Sequence, residues 1–181
     1  MHILVRLPIS VPRREVIQVI LRTGPRDDTG AYVVPVSATK REAGYSGTPL
    51  PTKLGIKSHH RVLIDGGPPG FAGTQLIPLP DGVTIHRRAA RDVRSTPYDV
   101  VVAFRGSAGE YIDRLPRDIG RIKRDGSLWI AWPKKASGVV TDLTENVVRD
   151  EALAAGLVDV KVCAIDSVWS GLKLVYRREN R

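Results

Sequence analysis

One cysteine, Cys163, stands in 181 residues. The chain can therefore form no internal disulfide and no cysteine-rich zinc site. A lone thiol suits a reducing compartment. Histidine is also scarce: His2, His59, His60 and His86 contain no His-x-His or His-x-x-x-His pair. Adjacent His59 and His60 would point apart on a strand, so no metal centre is expected. No apolar run approaches the roughly 18–20 residues of a membrane helix. Met1–Leu7 is interrupted by His2 and Arg6 and followed by Pro8, so it lacks the compact apolar core of a secretory leader. The expectation is a cytoplasmic protein without membrane association. Neither Gly-x-Gly-x-x-Gly nor Gly-x-x-x-x-Gly-Lys-Ser/Thr occurs, and no cofactor is assigned.

What the chain does have is a core and an excess of positive charge. Hydrophobic residues make up 42% and charged residues 26%. That composition excludes wholesale disorder and a fibrous repeat. Lys+Arg number 28 against 19 Asp+Glu, a net charge of +9 and a sequence pI near 10.0. Such a balance favours anionic partners: phosphates, nucleotides, nucleic acid or acidic surfaces. Residues 1–43 carry +3 of it and hold Pro8, Pro12, Pro25 and Pro35. Arg14–Arg22 reads as a short helix and Tyr32–Val36 as an edge strand. This stretch is expected to be a poorly ordered or loosely docked extension. Residues 44–181 form a single α/β domain.

Gly44–Pro51 is a lead-in arm, too rich in Gly and Pro for a helix interior, and Lys53–Ile56 makes a short turn. Arg61–Asp65 is the first strand. A Gly-Gly-Pro-Pro-Gly loop and a short helix over Phe71–Leu76 follow it. Val83–Arg87 is the second strand. Tyr98–Phe104 is the clearest, its Val100–Phe104 run reading as a strand buried on both faces. Ser107 opens a helix with Tyr111, Ile112 and Leu115, continued through Pro116–Arg124. Asp125-Gly126 then turns the chain into the strand Ser127–Trp132. Asp142 and Glu145 stand at capping-box spacing before a helix that Gly156 ends. Val160–Ile165 and Leu172–Arg177 are strands joined by the Ser167–Gly171 turn. Alternating strands and helices predict an α/β fold with a mainly parallel sheet and helices on both faces. The last connection is too short for a crossover, so the closing pair is a C-terminal antiparallel β-hairpin. With that closing pair the fold resembles the methyltransferase-like branch of Rossmann-like folds.

Ligands of open α/β sheets bind beyond the carboxyl ends of the strands, near the switch in strand order. Candidate ligand-binding residues are therefore Asp65, Gly66 and Gly67 after the first strand and Arg105 after the third. The next strand adds Trp132, Lys134, Lys135, Ser137 and Thr141. Gly66–Gly70 stands where a nucleotide-binding fold carries its Gly-rich turn, yet Pro68 and Pro69 supply no N–H. The second strand ends in Arg87 and Arg88, with Asp92 the nearest acid for ribose hydroxyls. In Trp132–Gly138, two ammonium groups, a hydroxyl and a flexible glycine can neutralise a phosphate or carboxylate, with Trp132 as a stacking face. Alternatively, Trp132 packs in the core and the lysines are solvated. Asp166 and Ser170 build the last turn by side-chain-to-backbone bonds. Cys163 reads as an inert core thiol. Arg87, Arg88, Arg91 and Arg94 cluster, and Arg114, Arg117, Arg121 and Arg124 share one helical face if the helix persists past Pro116. That face is either solvated or a phosphate-contacting stripe.

Several blocks carry a family resemblance: Gly44–Leu50, Lys53–Lys57, Trp-Pro-Lys-Lys-Ala-Ser-Gly at Trp132–Gly138, Thr141–Glu145 and Gly156–Leu172. They resemble a bacterial family of unassigned role, domain-of-unknown-function family 3052, over about residues 44–181. The resemblance implies a methyltransferase-like Rossmann fold. The methyltransferase glycine motif is missing at Asp65–Gly70, which speaks against S-adenosylmethionine. The expected function is a non-catalytic binding or regulatory module for a small anionic ligand or a protein. The alternatives are a divergent S-adenosylmethionine- or nucleotide-dependent transferase at the Asp65–Gly70 rim, and nucleic-acid binding through the arginine face.

Overall fold

The valine-rich run that the sequence places at the centre of the molecule does lie there. In the computed structural model, which describes residues 47–87 and 97–181, strand β3 (Tyr98–Phe104) is inaccessible along Val100–Phe104. The expected extension over residues 1–43 lies outside the described residues, as do Arg88, Arg91, Asp92 and Arg94. β1 (Arg61–Asp65), β2 (Thr84–Arg87), β4 (Ile122–Pro133), β5 (Leu157–Ala164) and β6 (Trp169–Tyr176) complete one sheet, ordered β2-β1-β3-β4-β6-β5. The first four strands in that order are parallel; β6 is antiparallel to both β4 and β5.

Strand parity sorts the core into two layers. Val101, Ala103, Leu128, Ile130, Leu172 and Leu174 meet helix α3 (Ala108–Ile119) and helix α4 (Glu145–Ala154) through Tyr111, Leu115, Val148 and Ala152. Val100, Val102, Phe104, Trp129 and Ala131 meet the short helices α1 (Leu50–Leu54) and α2 (Phe71–Thr74) on the other face. Helices thus cover both faces, as the alternation predicts. The closing antiparallel pair is present too, but its second strand lies inside the sheet. β5 leaves a one-strand gap beside β4, and β6 folds back into it and pairs on both sides. Leu172 and Leu174 are consequently 0% exposed, whereas Val160 on the edge strand β5 is 59% exposed.

Three local expectations change. The helix from Ser107 stops at Ile119, and the chain enters β4 at Ile122. Arg121 and Arg124 therefore leave the helix, and the four-arginine face does not form. Asp125-Gly126 is not a turn between elements but part of an irregularity within β4, where Tyr98 pairs with Ile122 and Val100 with Ser127. A Cβ on Gly126 would lie 2.9 Å from the Tyr98 carbonyl oxygen, so only glycine allows the two backbones to close. Asp142 does not cap its own helix. Thr144 does so, accepting from the Val147 N–H, while Asp142 Oδ1 accepts from the Ala108 N–H at 2.8 Å and holds the start of α3. Residues Leu50–Leu54, read as arm and turn, form α1 because Pro51 falls in the first turn, where no N–H is needed.

Trp129 fixes α1 to the sheet: it is fully buried and its Nε1 donates to the Leu54 carbonyl at 3.0 Å. Trp129→Phe removes that donor, leaves the carbonyl unpaired and opens a small void. It should lower stability by about 1–3 kcal/mol in urea unfolding. An unchanged midpoint would show that α1 is not held through this bond.

Candidate functional site

The rim at the carboxyl ends of β1, β3 and β4 is governed by the same parity. Asp65 lies opposite Ala103 in the parallel register, two residues beyond Leu63, and so faces α3 and α4. Arg105, two residues beyond Ala103, points the same way. The two meet under α3, where Arg105 Nη2 lies 2.9 Å from Asp65 Oδ2 and also donates to Asp118 Oδ2. Its Nη1 donates to the Phe104 carbonyl at 2.8 Å. Arg121 Nη1 approaches Asp65 Oδ2 at 3.6 Å and Asp118 Oδ1 at 3.7 Å. The Arg105 side chain is 1% exposed and that of Asp118 is 0% exposed.

Two carboxylates and two guanidiniums thus neutralise one another inside the protein. Burial lowers the Arg105 pKa, but Asp118 and then Asp65 outweigh it and hold the guanidinium more firmly charged. For Asp118, burial pushes the carboxyl up against the opposing pull of Arg105 and Arg121. Asp118 was not among the sequence candidates, yet a signal for it exists. It falls at i+7 from Tyr111 and i+3 from Leu115, so it stands in the apolar stripe of α3, where a charge requires a buried partner.

The glycine loop after β1 rests against an aromatic cluster. Gly67 has φ 88°, and a Cβ there would lie 2.8 Å from the Phe104 ring. That ring packs edge to face against Phe71 at 4.9 Å and against Trp169 at 5.0 Å. Pro68 and Pro69 carry no N–H, the Pro68 carbonyl takes the Phe71 N–H, and α2 has only four residues. Phe104 is buried in the core layer under α1 and α2, while Gly66, Gly67, Pro69 and Gly70 stay exposed.

The β4 end is likewise engaged internally. Trp132 is buried in the layer under α3 and α4 rather than offered as a stacking face. Lys134 Nζ donates to the Asp166 carbonyl at 2.6 Å. Asp166 Oδ1 accepts from the Val168 and Trp169 N–H groups, forming the hairpin turn. Ser137 Oγ donates to the Lys134 carbonyl at 2.7 Å, and Thr141 Oγ1 donates to the Gly106 carbonyl at 2.8 Å. Lys135 is exposed. The nine candidates do not converge on one open rim: Asp65 and Arg105 lie under α3, Gly66 and Gly67 pack on Phe104, and Lys135 faces water. Cys163 is partly buried on the edge strand, and that burial raises its thiol pKa against Lys161, Lys53 and Lys134. Arg124 stacks over Tyr176 at 4.7 Å, away from Arg114 and Arg117 on α3. Among the described residues no helix is long and apolar enough to cross a membrane. No group of three His, Cys, Asp or Glu among them could hold a metal ion.

A family model described as a protein of unknown function, DUF3052, matches residues 87–178, just over half of the chain. The chain belongs to the DUF3052 family. No curated protein sequence matches it. Solved structures resemble the DUF3052 fold at low identity. A ribosomal protein L11 methylase from Lactobacillus delbrueckii subsp. bulgaricus superposes with TM-score 0.51 and 12% identity, over 71% of this chain and 75% of that one. A DhpI–SAH complex gives TM-score 0.50 and 10% identity, over 72% and 83%. The Methanococcus jannaschii fibrillarin pre-rRNA processing protein gives 0.50 and 13%, over 74% and 70%. The DUF3052 chain thus has a methyltransferase-like α/β fold with a mostly parallel mixed sheet. Such a fold implies S-adenosylmethionine, and the residues present do not fit it: Pro68 and Pro69 supply no N–H at the glycine loop, and the Asp65 carboxylate is paired with Arg105.

Arg105→Met removes the cation that Asp65 and Asp118 both hydrogen-bond and leaves them only the more distant Arg121 in common. It should cost about 3–5 kcal/mol in urea unfolding, because the remaining charges stay buried. Lys135→Ala in the same assay should change stability by less than about 0.5 kcal/mol. Equal, small effects would show that Arg105 is solvated in solution.

Proposed function

We propose that this DUF3052 protein is a binding or regulatory module for a small anionic ligand or a protein, and not a methyl-transferring enzyme. The observation that carries the reading is the pairing of Asp65, at the end of β1, with Arg105 under α3. It takes the strand-end carboxylate out of reach of a ligand. Two further features support it. Pro68 and Pro69 cannot donate to a ligand. Ser137 and Thr141 already serve backbone carbonyls. A basic surface suits recognition of anions by charge.

Calorimetric titration of the full chain with S-adenosylmethionine and with S-adenosylhomocysteine tests the reading. Neither should release heat or raise the melting temperature at millimolar concentration. Micromolar affinity for either would overturn it and return the protein to the transferase class.

A further inference from the structure

The face of the sheet under α1 is only partly covered. Toward the amino ends of β3 and β4, and across β6, it leaves a recess of about 360 Å³. Lys173 on β6 stands in its wall. In register it lies opposite Trp129 on β4 and Lys161 on β5, so parity turns it toward α1. Its Nζ sits 3.4 Å from where a Cβ on Gly55 would be, and the side chain is partly buried. Among the described residues no carboxylate pairs with Lys173. The acid within the recess, Asp99, already accepts from the Arg61 N–H at 2.8 Å and from Lys123 Nζ at 2.6 Å. Asp125 is exposed at the lip. The other charged neighbours are cations, Lys57 and Arg181. Burial and then Lys161, Lys57 and Arg181 lower the Lys173 pKa.

Arg181 Nε donates to the Tyr176 carbonyl at 3.0 Å, which leaves its charge unmatched by an acid. A concave recess that gathers cations with no acidic partner among the described residues is stabilised by an anion entering it. Its volume lies near the lower end of the range for small-molecule sites, roughly 300–1,000 Å³, and exceeds what a bare oxyanion fills. Ser127, His60 and the Gly126 backbone line the recess beside the cations. They suit an organic body with hydroxyl or amine groups. We propose that this recess binds a small phosphorylated molecule, its phosphate held by Lys57, Lys173 and Arg181. This deepens the binding-module reading by naming a ligand class and a place, and rests on it.

The test is calorimetry and thermal melting of the full chain in phosphate-free buffer, with inorganic phosphate, glycerol 3-phosphate and adenosine 5′-monophosphate as probes. At least one organic phosphate should bind more tightly than inorganic phosphate and raise the melting temperature. Lys173→Met, which keeps the aliphatic stem, should weaken that binding about tenfold or more. It should also melt no lower than the wild type without ligand, since it removes a cation held among cations. Lys57→Ala, at an exposed position, should weaken binding by a smaller factor. The assignment is overturned if no probe binds, if inorganic phosphate binds as well as both organic ones, or if Lys173→Met keeps full affinity. Failure here with a silent S-adenosylmethionine titration overturns the recess and leaves the module reading standing. Binding of S-adenosylmethionine overturns the module reading through the opposite ends of the strands.

Discussion

Arg105 joins three separate parts of the chain: the end of β1 through Asp65, its own strand end through the Phe104 carbonyl, and helix α3 through Asp118. It is almost fully removed from water, so each of its partners is required by the others. A guanidinium buried without carboxylates, or two carboxylates buried without it, would each face a desolvation penalty of several kcal/mol. The ion cluster therefore sets how α3 lies on the sheet. With α3 in place, the rim that it helps to shape follows.

That constraint bears directly on the ligand rim. In an open α/β sheet the residues just past the strands are free to meet a ligand only if their side chains leave the packed faces. Here parity sends Asp65 and Arg105 into one packed face and Phe104 into the other. The strand ends are used to close the protein on both sides. Phe104 packs edge to face with Phe71 and Trp169, and the exposed glycine loop rests against this buried cluster. A methyltransferase-like scaffold thus carries strand-end side chains that pair within the chain itself.

The positive charge divides along the same lines. Arg105 and Arg121 balance buried acids, Arg124 lies over an aromatic ring, Lys123 pairs with Asp99, and Lys134 reaches a carbonyl. Among the described residues, Lys173 and its neighbours stand near a concavity without an acidic partner. The net charge of +9 is thus a poor guide to a partner until the internally matched cations are set aside.

Much of the fold was legible in the sequence because it depends on local patterns. The Val100–Phe104 run marks a doubly buried strand, Ser107 caps its helix, and a short last connection demands an antiparallel pair. The charge in the apolar stripe of α3 was legible as well, at Asp118, though its partners were not. The site was much less so. Lys173 between Leu172 and Leu174 has the alternation of a solvent-facing strand position; α1 and the recess make it partly buried. Asp142 has the spacing of a cap for its own helix and instead holds the start of α3 at Ala108, 34 residues earlier in the chain. Composition and periodicity determined the element types, the single thiol and the positive excess, since each depends on residues within a few positions of one another. Tertiary structure alone decided the insertion of β6, the burial of Asp65 and Arg105, and the cation-lined recess, because each requires distant segments to meet at a register that only the packed sheet defines.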